Sequence, residues 1–331
     1  MTSLREPDHR TGDVTDRSEP GHRTADVTDR SEPGHRTADV TGRREPRHRT
    51  GWRDLVELTR APAALSVPGD VVAGAAAAGV LRPRTLATAA ASVCLYWAGM
   101  AANDLADRHV DAVERPHRPI PSGRVSPATA GGIAAGLTVA GLAIAVTAGG
   151  RRQIPVAVSL AGAIWLYDLG AKNTVAGPAV MATCRGLNVL LGTGGRWRPA
   201  VPSALVVAAH TYTVTVLSQR EVEGAEPSLP RRTLAATAAV AVAAAGARSG
   251  RRMLGAAALA TWYLARYGAA QRRAAEDPTA ARVQDAVTAG ITTLPVLQGA
   301  LAARSGAGAA GVATAVLAPA AARLARKVAA T

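Results

Sequence analysis

The stretch TLATAAASVCLYWAGMAANDLADRHVD, residues 85–111, decides how this chain is interpreted. Its first eighteen residues form an apolar run close to the roughly 20 residues that cross a bilayer as a helix. A polar loop follows. Asp104, Asp107 and Asp111 are spaced three and four residues apart, so on a continuing helix their carboxylates share one face. Like charges at that spacing repel, and hard oxygen ligands favour Mg²⁺ as the neutralising ion. Taken alone, the spacing is equally typical of a solvated helix end.

Basic residues follow immediately, in ERPHRPIPSGRVS at residues 114–126. Arg115, Arg118 and Arg124 carry guanidinium groups that hold phosphate oxygens well. An acidic cluster next to three arginines favours a site for a divalent cation and a diphosphate.

Long runs rich in alanine, valine, leucine and glycine make up the chain after residue 60. We interpret them as helices at 65–81, 85–103, 127–149, 153–170, 175–195, 201–219, 232–248, 252–269, 284–303 and 306–325. Their lengths approach a bilayer span. The sequence therefore predicts an all-α, polytopic membrane bundle of nine or ten transmembrane helices.

The first fifty residues differ from the rest in composition. A thirteen-residue unit begins at Pro7, Pro20 and Pro33, with a fragment from Pro46, and each full unit holds one valine as its only large aliphatic residue. Such units cannot bury a core. We therefore predict a disordered tail over residues 1–50 and a membrane domain over 51–331.

Charge is unevenly divided along the chain. Residues 1–60 hold twelve basic and twelve acidic residues, so the formal charge of +14 belongs to the remainder. No basic, aromatic-interleaved soluble domain is present to bind nucleic acid, and anionic lipid headgroups and substrates are the simpler partners. With the aspartate loop placed in the cytoplasm, fifteen basic residues fall inside and ten outside, the expected direction.

A second acidic loop, SQREVEGAEPSLPRR, occupies residues 218–232. Glu221 and Glu223 fall on the same side of the membrane as the aspartates in the predicted topology. They could bind a second metal ion, with Arg220 near the diphosphate. Balancing the neighbouring arginines on a wet loop explains them equally well.

Arg185 lies in the middle of a predicted helix, where an isolated arginine costs about 2.5–3.5 kcal/mol. It should face protein, with Asn188 three residues on at the same face. Asp168 is one possible partner, and Tyr167 and Lys172 close the preceding helix. Lys172 suits a phosphate, although reaching up to headgroups explains it as well.

These residues together resemble the UbiA-type intramembrane prenyltransferase superfamily. The resemblance rests on Asn-Asp-x-x-Asp-x-x-x-Asp at 103–111, Arg-Pro-Ile-Pro-Ser-Gly-Arg at 118–124 and the Tyr167/Lys172 pair. It extends through most of residues 52–331. SQREVEG and CRGLNVLLG further resemble the bacterial EboC-like branch.

The resemblance implies a helical bundle with a central cavity open to lipid, and Mg²⁺-dependent transfer of an isoprenyl group from a prenyl diphosphate to an unidentified acceptor. Frequent alanine and arginine with little lysine is typical of a high-GC bacterium, so we expect the protein in the bacterial plasma membrane, and the count of basic residues places its active loops in the cytoplasm. Aspartates usually build the family's second acidic motif, where this chain has Glu221 and Glu223. The metal-binding candidates are Asp104, Asp107, Asp111, Glu221 and Glu223; the catalytic candidates are Asp104, Asp107, Asp111, Lys172 and Arg185; the substrate-binding candidates are Asn103, Arg115, Arg118, Arg124, Tyr167, Asp168, Asn188 and Arg220.

Other classes fit less well. Transporters with broken helices would show paired interruptions in two repeats, which the sequence does not show. CDP-alcohol phosphotransferases carry an Asp-Gly-x-x-Ala-Arg element, and NDLADRHVD has no glycine. A catalytically inactive family member, or a carrier that binds an anionic lipid or substrate without chemistry, stays open. The oligomeric state is also open.

Overall fold

Helices are the only regular elements in the residues that the computed structural model describes, which are 51–59, 66–246 and 250–316. The α-helices are α1 (Trp52–Leu58), α2 (Val67–Ala77), α3 (Arg84–Ala106), α4 (Arg108–Glu114), α5 (Pro127–Gly149), α6 (Ile154–Leu169), α7 (Gly177–Leu191), α8 (Val201–Ser218), α9 (Ser228–Ala245), α10 (Gly250–Tyr263), α11 (Ala269–Glu276) and α12 (Ala280–Arg304). A π-helical turn, Leu264–Gly268, joins α10 to α11, and residues 308–316 are helical. The all-α prediction is confirmed. The predicted disordered tail, residues 1–50, lies outside the described residues.

The predicted apolar segments coincide with observed helices. The predicted segment 127–149 has the same bounds as α5, because Ser126 and Pro127 favour a helix start at this point. Ser126 Oγ accepts a hydrogen bond from the Thr129 amide at 3.1 Å, and Pro127 occupies the first helical position. Both are favoured there. Of the last segment, 306–325, only residues up to 316 are described.

Four stretches of the described chain are long and apolar enough to cross a membrane: Arg84–Ala106, Pro127–Gly149, Arg198–Ser218 and Ala280–Arg304. The third combines a short 3₁₀ turn with α8. Membrane-spanning helices of this length make the chain an integral membrane protein. The count of nine or ten spans stays a prediction.

One boundary differs clearly from the sequence interpretation. The segment predicted to end at residue 269 continues through the π turn into α11 and ends at Glu276. Arg272 and Arg273 end the apolar run, but alanine, glutamine and arginine all favour helix. The predicted helix end marks where the apolar residues stop, whereas the helical hydrogen bonds continue beyond that point to Glu276.

Helices α2 and α7 approach until their backbones touch. A Cβ atom at Gly74 would lie 1.8 Å from the carbonyl oxygen of Val189, and one at Gly192 would lie 2.1 Å from that of Val71. Both glycines are required by contact with a neighbouring backbone. Small residues permit this close packing between membrane helices, where dispersion contacts replace the hydrophobic effect.

Helix α3 lies at the centre of the part of the fold that positions the candidate site. It packs against α2, α5 and α6, with Leu95 buried beside Leu160 and Ile164. Ser92 and Tyr96 of the same helix contact Asn188 and Arg185 of α7. The loop-side end of α3 carries the acidic motif.

Candidate active site

Asp107 lies at the junction between α3 and α4, where it meets Lys172. Lys172 Nζ is 2.7 Å from both carboxylate oxygens of Asp107 and 2.7 Å from Asn103 Oδ1. The Asn103 amide also donates to Asp107 Oδ2 at 3.1 Å. The lysine side chain, which lies between α6 and α7, therefore neutralises the middle carboxylate of the motif.

Asp104 and Asp111 share a different cation. Arg118 Nη1 lies 2.6 Å from Asp111 Oδ2 and 3.5 Å from Asp104 Oδ1, and both carboxylates are almost fully buried. Arg115 Nη1 is 3.8 Å from Asp111 Oδ1. Two carboxylates at this depth require a cation close by, since an unpaired buried charge is costly.

The three aspartates therefore pair with two different cations, Lys172 for Asp107 and Arg118 for Asp104 and Asp111. Asp107 ends α3 and precedes α4 with a helical backbone: its amide donates to the Asn103 carbonyl and its carbonyl accepts from the Asp111 amide, each at 2.9 Å. Within the described residues, no three acidic, histidine or cysteine side chains converge as a ready metal site. Lys172, Arg115 and Arg118 place positive charge beside these carboxylates.

Arg124 points away from this cluster and holds α1. Its guanidinium contacts Asp54 Oδ1 at 2.7 Å and both carboxylate oxygens of Glu57 at 2.8 and 2.9 Å. It also donates to the His117 carbonyl at 2.7 Å. Hydrogen bonding to Glu57 raises the pKa of Arg124 above its ordinary value. Arg124 thus ties α1 to the loop that carries Arg118.

Arg185 and Asn188 meet an acidic residue that sequence reasoning missed. Arg185 Nε lies 2.9 Å from Asp70 Oδ2, and the Asn188 amide donates to the same oxygen at 2.9 Å. Gln298 on α12 donates to Asp70 Oδ1 at 2.6 Å. Asp70 is fully buried. The cluster joins α2, α7 and α12 in the interior, and Arg185 pairs here with Asp70.

The signal for Asp70 was present in the sequence. It stands in VPGDVV within the predicted segment 65–81. A lone carboxylate in an apolar helix calls for a partner by the reasoning that identified Arg185. Gln298 carried no such signal, because a neutral amide is common in helices and lies 228 residues away along the chain.

One face of α3 connects the buried cluster to the aspartates. Positions 92, 96, 99 and 103 are four, three and four residues apart, so they lie on one side of the helix. Ser92 donates to Asn188, the Tyr96 ring lies under the Arg185 guanidinium at 5.7 Å, Gly99 faces Asp168, and Asn103 binds Lys172. From Ser92 to Asn103 the face extends about 16 Å at the helical rise.

The predicted residues at the end of α6 lie beside this face. A Cβ at Gly99 would be 2.4 Å from Asp168 Oδ2, so the missing side chain makes room for the carboxylate. Tyr167 is half-buried next to it. Asp168 therefore lies between the Arg185 and Lys172 levels of α3.

The second acidic loop is not brought to the aspartates by the contacts of its side chains. Glu223 is 78% exposed and pairs with Arg220 at 3.6 Å. Glu221 is partly buried, which raises its carboxyl pKa. The Gln219 amide does donate to the Thr174 carbonyl at 3.2 Å, so this loop adjoins the one that carries Lys172.

Comparison with known proteins identifies the family of this chain. The sequence model of the UbiA prenyltransferase family matches residues 65–283. This chain belongs to the UbiA prenyltransferase family. The match begins just before α2 and ends within α12, so it includes the aspartate motif, Lys172, the Asp70 cluster up to Asn188, and the second acidic loop.

Several curated relatives of this UbiA-family chain are named digeranylgeranylglyceryl phosphate synthase. A digeranylgeranylglyceryl phosphate synthase of Methanopyrus kandleri is 38% identical over 156 residues, which are 45% of this chain and 55% of that protein. One of Halobacterium salinarum is 32% identical over 190 residues, 55% of this chain and 68% of that protein. The chain thus spans about half the length of the first relative and two thirds of the second.

Solved structures show the same fold. A structure described as digeranylgeranylglyceryl phosphate synthase in membranes superposes with a TM-score of 0.59 at 15% identity, covering 76% of this chain and 98% of that one. A UbiA homologue from Aeropyrum pernix K1 gives 0.52 at 18% identity, with 72% and 96% covered. The narrower EboC-like assignment stays a prediction.

Proposed function

We propose that this UbiA-family chain transfers an isoprenyl group from a prenyl diphosphate to a hydroxyl group of a membrane-embedded acceptor. The observation that carries the proposal is the joint binding of Asn103 and Asp107 by Lys172 at the end of α3. This contact joins the family's acidic motif to a cation suited to phosphate. The adjoining helices supply an apolar setting for an isoprenoid tail.

The lysine and arginines of the site could exchange their carboxylate partners for the oxygens of a diphosphate. Lys172 and Arg118 now contact carboxylates, and Arg115, whose side chain is 53% exposed, is nearest to solvent. A diphosphate brings several oxygens that accept charge-assisted hydrogen bonds from the same groups. We infer that Lys172, Arg118 and Arg115 hold the diphosphate, with Asn103 orienting the lysine.

Mg²⁺ fits the chemistry of the donor set. Asp104, Asp107 and Asp111 offer carboxylate oxygens within two helical turns, and Mg²⁺ is bound through a few carboxylates plus phosphate oxygens. Bound there, the ion would neutralise charge on the diphosphate leaving group. Asp107 is the most accessible of the three, at 30% exposure. Glu221 and Glu223 are proposed as a second, weaker set.

The reaction separates charge, and the chain's residues respond to that charge. As the allylic carbon–oxygen bond breaks, its electron pair stays on the diphosphate, where Lys172 and Arg118 stabilise the developing charge. The acceptor oxygen then forms a bond to the isoprenyl carbon and loses a proton. Asp168 or Asp111 takes that proton. The apolar walls around α3 keep water from the electron-deficient carbon.

The acceptor is proposed from the names of the relatives. Digeranylgeranylglyceryl phosphate contains prenyl groups on a glyceryl phosphate, and this supports a hydroxylated lipid phosphate over an aromatic acceptor. Mass spectrometry of lipid extracts from cells with and without the protein tests this choice. A phosphate-containing lipid should gain an isoprenyl increment. A prenylated aromatic compound in place of a prenylated phospholipid would show that the acceptor is aromatic and contradict this choice.

The direct test of the transfer reaction measures diphosphate release. We expect the chain in liposomes to release diphosphate from geranylgeranyl diphosphate when Mg²⁺ and a glyceryl phosphate lipid are supplied. The double variant Asp104→Asn with Asp107→Asn should reduce release to background. Glu276→Gln is the control, since Glu276 is exposed on α11 and pairs only weakly with Arg272 at 3.9 Å.

The competing proposal is a family member that binds an anionic lipid or substrate without chemistry. It is favoured by the pairing of all three aspartates with lysine or arginine and by the exposure of Glu223. Such a protein would bind a prenyl diphosphate yet leave it intact at every Mg²⁺ concentration. Binding without diphosphate release from the unmodified chain therefore selects this alternative.

We further propose a bacterial plasma membrane as the location, with the aspartate loop in the cytoplasm. Support comes from the excess of basic residues on the side of the aspartate loop, fifteen against ten on the other side. Labelling a cysteine introduced at Val113, which is 84% exposed in α4, from each side of sealed vesicles tests the orientation. Labelling from the extracellular side would reverse the topology.

A further inference from the structure

A groove of about 490 Å³ opens between the π turn, α11 and α12, away from the aspartate site. Its polar lining consists of Arg266, Arg273, Asp285, Thr288 and Thr292, and four alanines complete it. The volume lies within the range of small-molecule sites. We propose that this groove binds an anionic phospholipid, with the headgroup phosphate between the two arginines and one acyl chain along the alanines.

Charge complementarity supports this occupant. Neither Arg266 nor Arg273 has a carboxylate partner among the described residues, whereas the neighbouring Arg272 pairs with Glu276 at 3.9 Å and Arg282 with Asp277 at 3.6 Å. Asp285 is the one acidic residue of the lining, and its carboxylate pairs with Arg282 Nη1 at 3.7 Å. The groove therefore carries an excess of positive charge that a phosphate would satisfy.

The position of Arg266 near one end of its helix also suits a headgroup phosphate. The helix from Gly250 to Glu276 is about 40 Å long at 1.5 Å per residue. Arg266 is exposed and lies about 15 Å before the end of this helix. A long, exposed arginine side chain can extend to the headgroups, where a lipid phosphate accepts its hydrogen bonds.

The groove is shaped by small residues and by the π turn. Alanines at 265, 269, 270 and 289 leave an apolar floor on which a hydrocarbon chain can pack. Tyr267 points inward from the same turn and is fully buried, close to Thr213 Oγ1 at 3.2 Å. The buried Tyr267 side chain holds the turn against the interior, while the neighbouring Arg266 is exposed. Single π turns are frequent at functional sites.

Native mass spectrometry of the detergent-purified full chain tests the proposal, with phosphatidylglycerol and phosphatidylcholine as probes. Phosphatidylglycerol should be retained and phosphatidylcholine lost. Arg266→Gln with Arg273→Gln should weaken phosphatidylglycerol binding by about tenfold or more. The control Arg231→Gln with Arg272→Gln removes the same charge outside the groove and should leave binding unchanged. An equal loss in both double variants would overturn the site.

A second variant tests the shape of the groove without removing either arginine. Thr288→Trp fills the groove while both arginines remain, and it should also displace the lipid. Retained binding in Thr288→Trp contradicts the groove. Inorganic phosphate should not compete at matched concentration, because it lacks the hydrocarbon chain; effective competition would reassign the arginines to a free anion. Prenyl transfer is not needed for any of these readings.

Discussion

Arg185 Nε lies 2.9 Å from Asp70 Oδ2 in the interior of the bundle, with both side chains almost completely buried. Two opposite charges that are far apart in sequence thus compensate each other where neither could be tolerated alone. The pair joins α2 to α7, and Asn188 and Gln298 occupy the remaining positions around the carboxylate.

Removing the acidic partner should destabilise the bundle. Asp70→Ala leaves the Arg185 charge buried without compensation, which costs about 3–5 kcal/mol of unfolding free energy. Thermal unfolding in detergent should show a clear fall in Tm. Glu276→Gln, at an exposed position, should leave Tm unchanged. A Tm for Asp70→Ala equal to that of the unmodified chain would mean that Arg185 is stabilised by other groups.

Lys172→Ala should raise the KM for the prenyl diphosphate by about tenfold or more, because a charge-assisted contact is lost. The same variant leaves Asp107 without its cation, so Mg²⁺ binding at the motif should strengthen. Lys172→Arg should restore part of the affinity. Unchanged KM and kcat in Lys172→Ala would remove the lysine from the substrate site.

Gly74→Ala should disrupt the contact between α2 and α7, because its Cβ would lie 1.8 Å from the Val189 carbonyl oxygen. A shift of two backbones costs about 1–3 kcal/mol or more. The matched control is Gly136→Ala in α5, where a Cβ has no neighbour within 4 Å. That substitution should be neutral or stabilise by up to about 1 kcal/mol. Similar Tm values for the two variants would contradict the close approach.

Arg124→Ala should release α1 without weakening substrate binding. The two acidic side chains Asp54 and Glu57 lose their common partner, so the amides of Trp52–Leu58 should exchange faster with deuterium. KM for the prenyl diphosphate should stay within twofold. A large rise in KM with unchanged exchange would instead support the substrate-binding role that the sequence predicted for Arg124.

Local chemistry explains which parts of the fold were predictable. The bounds of α5 followed from Ser126, Pro127 and an uninterrupted apolar run. Residues 103–111 predicted a charged cluster at a helix end, which the structure contains. The pairing of these carboxylates with two different cations was not predictable from spacing, because spacing fixes the helix face that they share and not the side chains that other segments bring to it.

By itself, the sequence determined the helices, the membrane environment and the clustering of acidic and basic residues, since these depend on composition and on spacing within one segment. The tertiary structure alone decided the partners: Lys172 for Asp107, Asp70 for Arg185 and α1 for Arg124. Charge pairing in a bundle depends on which helix faces meet. That outcome is set by backbone contacts such as Gly74 against Val189, across more than a hundred residues of chain.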